Sequence, residues 1–186
     1  MFKAMMKKLS FLKKLAALLI FPSVSLSCFA ASNYIGLDYV WSDIKIADES
    51  ATPGATALTI GTSGKGRLTN IYLEAQYLIA NTSDNIHSIN FDLEQSKAVY
   101  LLLKSDSRDG YSIDVALGYA YNDLNINGPD NTYNGSDQYN GFSWKAAINY
   151  QVPFLQNSQV KLGYQSLYHQ DGLDISGISL GVSYHF

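Results

Sequence analysis

The chain has 186 residues, and its 13 basic and 16 acidic side chains give a formal net charge of −3 at pH 7. Five of the basic residues are lysines among the first 14 positions, so the chain after residue 30 has eight basic and 16 acidic residues and a net charge of −8. This acidic balance argues against nucleic acid and anionic lipid headgroups as direct electrostatic partners. The 156 residues after position 30 are enough for one domain and not for two.

The first 30 residues have the pattern of a secretory signal peptide. A lysine-rich start precedes the apolar run 15–26, and small residues follow, with Cys28 and Ala30 at the −3 and −1 positions of a cleavage site. The run is too short for a membrane-spanning helix. We therefore predict a signal peptide over 1–30 and a mature domain over 31–186. The alternatives are an amphipathic surface helix and a lipoprotein anchored at Cys28, the only cysteine of the chain.

After the signal peptide, segments of about ten residues alternate apolar and polar side chains, a period that is typical of β-strands with one apolar face. The clearest is 111–122, where apolar or aromatic residues at odd positions alternate with small or polar ones. We predict eight strands, over residues 34–42, 70–79, 86–94, 97–105, 111–122, 142–152, 159–169 and 174–186. The facing of the apolar block within 97–105 is left open. An even number of strands lets an antiparallel up-and-down barrel close with both chain ends on one side.

The last predicted strand shows most directly which face meets lipid. Its apolar stripe ends in Tyr184 and Phe186, and glycine, serine and histidine lie between the apolar positions. Such a face would promote aggregation in water but is required in lipid. The opposite faces of the predicted strands are mostly small, as the crowded interior of an eight-stranded barrel demands. A soluble lipocalin-like barrel, the alternative, would instead have a polar face rich in lysine, glutamate and threonine.

Short and long connections are predicted to lie at opposite ends of the barrel, as in outer-membrane proteins. The predicted outer connections are 43–69, 95–97, 123–141 and 170–173, and the predicted inner ones are 80–85, 105–110 and 153–158. Aromatic residues near the strand ends predict two interfacial girdles. The outer girdle would contain Trp41, Tyr119, Tyr121, Phe142, Trp144 and Tyr168, and the inner one Tyr77, Tyr111, Tyr150, Phe154, Tyr184 and Phe186.

The inward-facing polar residues are predicted to form a mixed-charge network inside the barrel. Its predicted members are Asp38, Glu74, Gln76, Asp92, Asp114, Lys145, Asn149, Lys161 and Gln165. A charge held away from bulk water must be paired, so Asp38 and Glu74 each need a lysine, and the sequence leaves the pairing open. The interior of an eight-stranded barrel is just wide enough for side chains. We therefore expect a plugged barrel, with a water-filled narrow pore as the alternative.

Three motifs, together with the signal peptide, connect the chain with a known family. They are Tyr34–Tyr39, Leu117–Tyr121 and Gly181–Phe186. On these motifs the chain resembles the small eight-stranded outer-membrane barrels of the OmpA/OmpX type, the outer-membrane β-barrel domain family, over essentially all of the mature domain. The resemblance implies a place in the bacterial outer membrane, contact with its lipid and lipopolysaccharide, and insertion by the outer-membrane assembly machinery with Tyr184 and Phe186 as the assembly signal. We expect no nucleic-acid partner and a monomeric barrel.

Candidate catalytic and metal-binding residues are few. His169 precedes the last strand, as in lipid A deacylase barrels, but the serine that those enzymes have two residues later is Asp171 here. Ser166 and Ser176 lack the family spacing, and the glycine-rich stretch 61–66 lacks the Ser or Thr and the helix of a phosphate-binding loop. The acidic loop residues, which lack calcium-loop spacing, are Asp43, Asp48, Glu49, Asp130 and Asp137. We therefore expect no catalytic residue, no cofactor and no metal site.

The fold alone does not settle the function, because small barrels of this type include membrane anchors, adhesins, complement-evasion proteins and lipid-modifying enzymes. We expect a structural or surface-interaction role, adhesin-like, in which the predicted extracellular loops 43–69 and 123–141 contact a host or surface ligand. The alternatives are a narrow pore and a lipid A-modifying barrel enzyme.

Overall fold

The structure is a computed structural model that describes residues 32–46, 49–86, 89–127, 135–170 and 172–186. At positions 49, 85, 86, 89–92, 126 and 127 it describes the backbone alone. The predicted signal peptide, 1–30, lies outside the described residues and stays a prediction. The strands are β1 (Asn33–Ile46), β2 (Glu49–Ala51), β3 (Gly54–Ser63), β4 (Ile71–Ala80), β5 (Asp84–Ile86), β6 (Ile89–Lys104), β7 (Tyr111–Asn127), β8 (Gly135–Gln151), β9 (Ser158–Gln170) and β10 (Leu173–His185).

Eight of these strands form a closed antiparallel barrel, which confirms the predicted fold class. Around the wall the order is β1, β3, β4, β6, β7, β8, β9 and β10. β10 pairs with β1 to close the barrel, in a register that runs from Tyr34–His185 to Ile46–Leu173. The short strands β2 and β5 pair with β1 and β6 and extend one end of the sheet. No helix in the described part of the chain is long and apolar enough to span a membrane.

Apolar side chains cover the outside of the barrel, as strands in lipid require. On β7, Ile113, Val115 and Leu117 are exposed between the aromatic residues Tyr111 and Tyr121. This interval matches the roughly 9–11 residues that a tilted strand needs to cross a bilayer. The alternate residues of the same strand are small or polar and face the interior.

The two ends of the barrel differ in how far the sheet continues. The backbones of Asn33 and Phe186 meet at one end, where they exchange hydrogen bonds of 3.0 and 2.8 Å. At the other end β7 and β8 continue past Tyr121 to the pair Ile126–Gly135. Outer-membrane barrels have short turns on the periplasmic side and longer extracellular structure. We therefore assign the end where Asn33 and Phe186 meet to the periplasm and the extended end to the cell surface.

The prediction of a single outer loop over 43–69 is wrong, because Gly54–Ser63 forms strand β3 between β1 and β4. The turn from β3 to β4 therefore lies at the periplasmic end, and the predicted inner turn 80–85 lies at the outer end instead. Among the alternate positions of β3 that face outward, only Leu58 and Ile60 are apolar, and the others are Gly54 and two threonines. This weak alternation hid the strand, which is held by pairing on both edges.

The predicted strands 86–94 and 97–105 are in fact one strand, β6, and the predicted connection 95–97 lies inside it. The register of β6 against β7 shifts between Leu93 and Gln95. Such a β-bulge adds a residue and reverses the alternation of side chains, which made one strand look like two. Leu93 is consequently buried, although the alternation placed it on the apolar outer face.

Beyond the bulge, the facing of the apolar block that the sequence left open is resolved. The exposed residues are Val99, Leu101 and Leu103, and the buried ones are Ala98, Tyr100 and Leu102. The predicted number of eight barrel strands is right because the strand missed at β3 and the strand counted twice at β6 cancel.

Three further predictions about the outer end change. The predicted loop 123–141 is mostly strand, because β7 continues to Asn127 and β8 begins at Gly135. Tyr77 lies near the outer end of β4 and not in the inner girdle, since β4 runs outward. Tyr168 is buried inside the barrel because a register shift between β9 and β10 reverses its facing.

Candidate functional site

Among the described residues, two ion pairs lie inside the barrel, and the first joins Glu74 of β4 to Lys145 of β8. Glu74 is 1% exposed, and the Tyr34 hydroxyl donates a hydrogen bond to its second carboxylate oxygen. The Lys145 ammonium also lies 4.6 Å from the centroid of the Tyr100 ring, which is a cation–π contact. Both oxygens of the buried carboxylate are therefore satisfied by protein groups from other strands.

The second ion pair joins Asp38 of β1 to Lys161 of β9, with 2.7 Å between Oδ2 and Nζ. Gly181 of β10 faces Asp38 in register, and a β-carbon at this glycine would collide with Asp38 Oδ1. The same Oδ1 atom has no hydrogen-bond partner among the described residues. A glycine on the intervening strand thus makes the room in which the second pair forms.

The other predicted interior residues surround these pairs without joining them directly. Asp114 on β7 is partly buried. Asn149 Nδ2 on β8 lies 3.5 Å from the hydroxyl of Ser112 on β7. Gln76 and Gln165 are buried, and within the described residues Gln76 Oε1 and Gln165 Nε2 have no hydrogen-bond partner. The side chain of Asp92 lies outside the described residues, so its predicted place in the network stays a prediction.

Sequence reasoning missed three residues of the interior network. Lys104 Nζ donates a hydrogen bond of 2.8 Å to Gln159, and its facing was hidden by the bulge in β6. Tyr100 was hidden for the same reason. Tyr34 could have been found, because it shares the inward parity of Asp38 on β1.

The space left between these side chains is small. A cavity of about 30 Å³ is lined by both lysines of the ion pairs, Lys104 and Asp114, with His185 towards the periplasmic end. A cavity needs about 10–15 Å³ to hold one water molecule, so this one has room for only a few waters. Side chains therefore fill most of the lumen at this level, as eight strands allow.

The wall of the barrel is incomplete between β8 and β9. The backbone ladder that joins these strands ends at the pair Trp144–Ser166, whereas β8 remains paired with β7 along its whole outer part. Beyond that pair, no ladder joins β8 to β9 in the part of the chain that the structure describes. We call this unpaired outer stretch the β8–β9 seam.

Side chains from the interior take the place of the missing ladder. Ser143 Oγ donates a hydrogen bond of 2.7 Å to the backbone carbonyl of Ser166. Asn122 Nδ2 donates to the carbonyls of Tyr139 and Leu167, at 3.2 and 3.3 Å. Buried backbone carbonyls that lack a ladder partner need another donor, and at the seam these two side chains supply it.

Two aromatic rings close the seam from inside. The Tyr168 ring of β9 lies 5.6 Å from the Tyr139 ring of β8. A β-carbon at Gly141 would lie 3.3 Å from the Tyr168 ring, so the glycine allows this close approach. The seam is therefore sealed towards the lumen and open towards the outside.

On its outer side the seam forms a cleft of about 420 Å³, which we call the seam cleft. Its lining residues are Phe142, Trp144, Tyr164, Ser166, Tyr168, His169, Gln170 and Asp174. His169 Nδ1 lies 2.9 Å from Asp174 Oδ2. Asp171, at the position of the deacylase serine, lies outside the described residues. The described side chains include no group of three or more His, Cys, Asp or Glu residues that could hold a metal ion.

The chain folds into a closed eight-stranded barrel with an apolar outer face. The sequence model of the outer membrane protein beta-barrel domain family matches residues 16–186. This chain belongs to that family. The barrel accordingly lies in the bacterial outer membrane. No curated protein has a sequence that matches the chain.

Solved structures share the fold of this family member at low sequence identity. Ail, the attachment invasion locus protein of Yersinia pestis, is 12% identical with a TM-score of 0.62, over 83% of this chain and 98% of that one. Ail in complex with the heparin analogue sucrose octasulfate is 13% identical with a TM-score of 0.58, over 83% and 98%. The N-terminal β-barrel domain of Pseudomonas aeruginosa OprF is 14% identical with a TM-score of 0.55, over 82% and 97%.

Proposed function

We propose that this outer-membrane barrel is a surface-interaction protein, adhesin-like, whose contact surface is the projecting β7–β8 hairpin. The observation that carries the proposal is the length of these two strands, which have 17 residues each. A strand needs only about 9–11 residues to cross the membrane. The surplus lies entirely at the outer end, beyond Tyr121 and Phe142.

The projecting hairpin is ordered as a sheet by side-chain hydrogen bonds across four strands. Tyr77 donates to Gln95 at 2.8 Å, and Gln95 donates to Asp123 at 2.6 Å. Gln138 completes the row with a bond of 2.9 Å to Asp123. A partner would therefore meet a preorganised surface, which lowers the entropy cost of binding.

One edge of the projecting hairpin also offers backbone groups to a partner. Residues 135–138 of β8 pair with β7, and their other edge faces no strand within the described residues. An exposed edge of this kind can accept an extended segment of another protein. A protein partner at the outer end could therefore bind both the side chains of the projecting hairpin and the free backbone edge of β8.

The filled lumen favours this function over the narrow pore. The ion pair Glu74–Lys145 spans the interior from β4 to β8, and the pair Asp38–Lys161 lies across β10 on the inner face of the wall. Ion flow would require these buried charges to separate, which costs several kcal/mol. The outer surface is then the part of the barrel left to act on its surroundings.

Charge narrows the class of partner. On the projecting hairpin Asp137 is exposed and Asp123 is partly exposed, and Glu94 is exposed on the neighbouring strand β6. Ail has been solved with a sulfated heparin analogue, but an acidic surface repels such a polyanion. The partner of this chain should therefore be a neutral or basic protein surface.

The proposal can be tested by shortening the hairpin without disturbing its register. Asp123 and Gln138 are paired, so deleting 124–137 and joining them through an Asn-Gly turn should keep the barrel intact. Attachment of intact bacteria to a cultured epithelial layer should fall to the level of cells that lack the protein. A control with 128–134 replaced by an equal length of Gly and Ser keeps the projecting strands and should retain attachment. Full attachment by the deletion variant, present in the outer membrane at normal amount, would refute the proposal.

A further inference from the structure

The seam cleft opens towards lipid near the outer rim of the barrel. Trp144 and Tyr164 in its wall continue the outward apolar stripes of Ile148 and Leu162, which are exposed on the membrane face. β8 runs inward and β9 runs outward, so the cleft lies at the outer-leaflet end of both stripes. The molecules that reach this part of the surface first are the lipids of the outer leaflet.

The cleft changes character from its lower to its upper part. The lower wall is aromatic, with Trp144, Tyr164 and the edge of Phe142. The upper part has His169 and Asp174, which hydrogen-bond to each other at 2.9 Å, and the side chain of His169 is 80% exposed. An apolar wall with a few polar groups at one end suits an amphiphilic ligand.

We propose that the seam cleft is a binding site for an outer-leaflet glycolipid. An acyl chain would lie against Trp144 and Tyr164, and hydroxyl groups of the sugar headgroup would bond to His169, Gln170 and Asp174. The cleft volume of about 420 Å³ falls within the roughly 300–1,000 Å³ of typical small-molecule sites. The site is distinct from the projecting hairpin, and it does not depend on the function proposed for that hairpin.

The polar groups of the cleft favour a sugar over a phosphate headgroup. Asp174 can accept hydrogen bonds from hydroxyl groups, and the Gln170 amide and the His169 ring can both donate and accept them. A phosphate offers acceptors and negative charge, so the Asp174 carboxylate would repel it. The sugar hydroxyls of a glycolipid such as lipopolysaccharide, and not its phosphate groups, therefore match this donor and acceptor set.

The interior side of the seam argues against a peptide strand as the occupant. A strand added between β8 and β9 would have to displace the Tyr139–Tyr168 ring contact and the hydrogen bond from Ser143 to Ser166. A lipid that lies on the outer face of the seam disturbs neither contact. The arrangement therefore accepts a ligand against the wall and resists one within it.

The two tryptophans of the chain provide a matched test. Trp41 and Trp144 are both exposed on the outward face at the outer rim, at 51% and 38%, and only Trp144 lines the seam cleft. The wild type, Trp144→Ala, Trp41→Ala and His169→Ala would be extracted from outer membranes in mild detergent. Retained lipid would be measured by native mass spectrometry. Heat-modifiable gel mobility would show that each barrel is folded.

We expect the wild type and Trp41→Ala to retain lipopolysaccharide and Trp144→Ala and His169→Ala to lose most of it. Equal retention by all four proteins would overturn the proposal, as would retention of phospholipid in place of lipopolysaccharide by the wild type. If Trp144→Ala fails to fold, the lipid retained by His169→Ala is compared with that of the wild type alone, since this exposed histidine is not needed to close the barrel. Equal retention by these two proteins would then overturn the proposal. The hairpin deletion leaves every lining residue in place, so lipid retention and cell attachment can fail independently.

Discussion

The interior around Glu74–Lys145 and the β8–β9 seam solve the same problem in different ways. Both hold polar groups away from bulk water, where an unsatisfied group is costly. In the interior the buried charges are met by opposite charges and by the Tyr34 hydroxyl. At the seam, backbone carbonyls that lack a ladder are met by the neutral side chains of Ser143 and Asn122.

The difference shows which part of the barrel is held rigidly and which part is open to a ligand. Charge pairs in the interior connect strands that are not neighbours, since they join β4 to β8 and β1 to β9. The seam depends on a few hydrogen bonds between adjacent strands, and regions with few such bonds open most easily. The buried ion pairs thus lie in the lumen, where ions would otherwise pass. The unpaired stretch between β8 and β9 lies where a ligand can approach from outside.

The strongest way to break this contrast is to remove the lysine from the interior pair. Lys145→Ala leaves Glu74 buried without its cation, and losing one member of a buried pair costs about 3–5 kcal/mol of the free energy of unfolding. Denaturant titration in detergent measures the loss. Lys97 on β6 is exposed, so Lys97→Ala is the control. Equal stability of the two variants would show that Lys145 is merely hydrated.

A second change tests the lipid-covered face that both regions share. Leu117 is exposed on the apolar face near the middle of β7, so Leu117→Arg should cost about 2–4 kcal/mol of the free energy of unfolding in a bilayer. Tyr121 lies at the outer rim, where Tyr121→Arg should lower the free energy of unfolding by only about 0–1 kcal/mol. Titration of both variants in lipid vesicles provides the comparison. A larger loss for the rim variant would invert the assigned position of the membrane.

The seam itself can be broken at Asn122. Asn122→Ala leaves two backbone carbonyls without their donor and should lower the free energy of unfolding by about 1–3 kcal/mol. Hydrogen exchange should quicken at amides of β8 and β9 near Trp144 and not between β6 and β7. Asn125→Ala is the control, because Asn125 on the same strand makes an exposed hydrogen bond to Glu94. Uniform quickening throughout the barrel would contradict a local role for Asn122.

Inserted epitope tags should have the smallest effect on stability, and they test which end of the barrel faces the cell surface. An epitope tag inserted within 128–134 should be reached by antibody on intact cells. A tag at Gly66 should be reached only after permeabilisation, since it lies in the turn between β3 and β4 at the periplasmic end. Gel mobility should stay heat-modifiable in both. Reversed accessibility would place the seam cleft at the inner leaflet and remove the basis of the glycolipid site.

Much of the fold could be predicted from the sequence because lipid enforces a strict rule on each strand. Alternation in 111–122 and in the last strand identified the outward residues correctly, since every second side chain of a spanning strand must be apolar. An antiparallel barrel followed from that alternation, whereas the number of eight strands was right because the missed β3 and the doubly counted β6 cancel. The assembly signal at Tyr184 and Phe186 and the signal peptide rest on the same sequence patterns and stay predictions.

The errors arose where pairing, and not the local sequence, decides the structure. β3 has few apolar residues and is held as a strand by β1 and β4 on its two sides. The bulge at Leu93 in β6 and the register shift beside Tyr168 reverse the facing of the residues beyond them. A single inserted residue is enough to do this, because the side-chain period of a strand is two.

In the strands with regular alternation, such as 111–122 and the last strand, the sequence by itself determined which side chains face lipid, because the solvent acts on each residue separately. Only the tertiary structure decided that Glu74 pairs with Lys145 and Asp38 with Lys161. It also decided that β8 and β9 part beyond Trp144 and leave the seam cleft. These features depend on the curvature of the closed wall and on its register, which bring together residues that are far apart in the chain and share no local pattern.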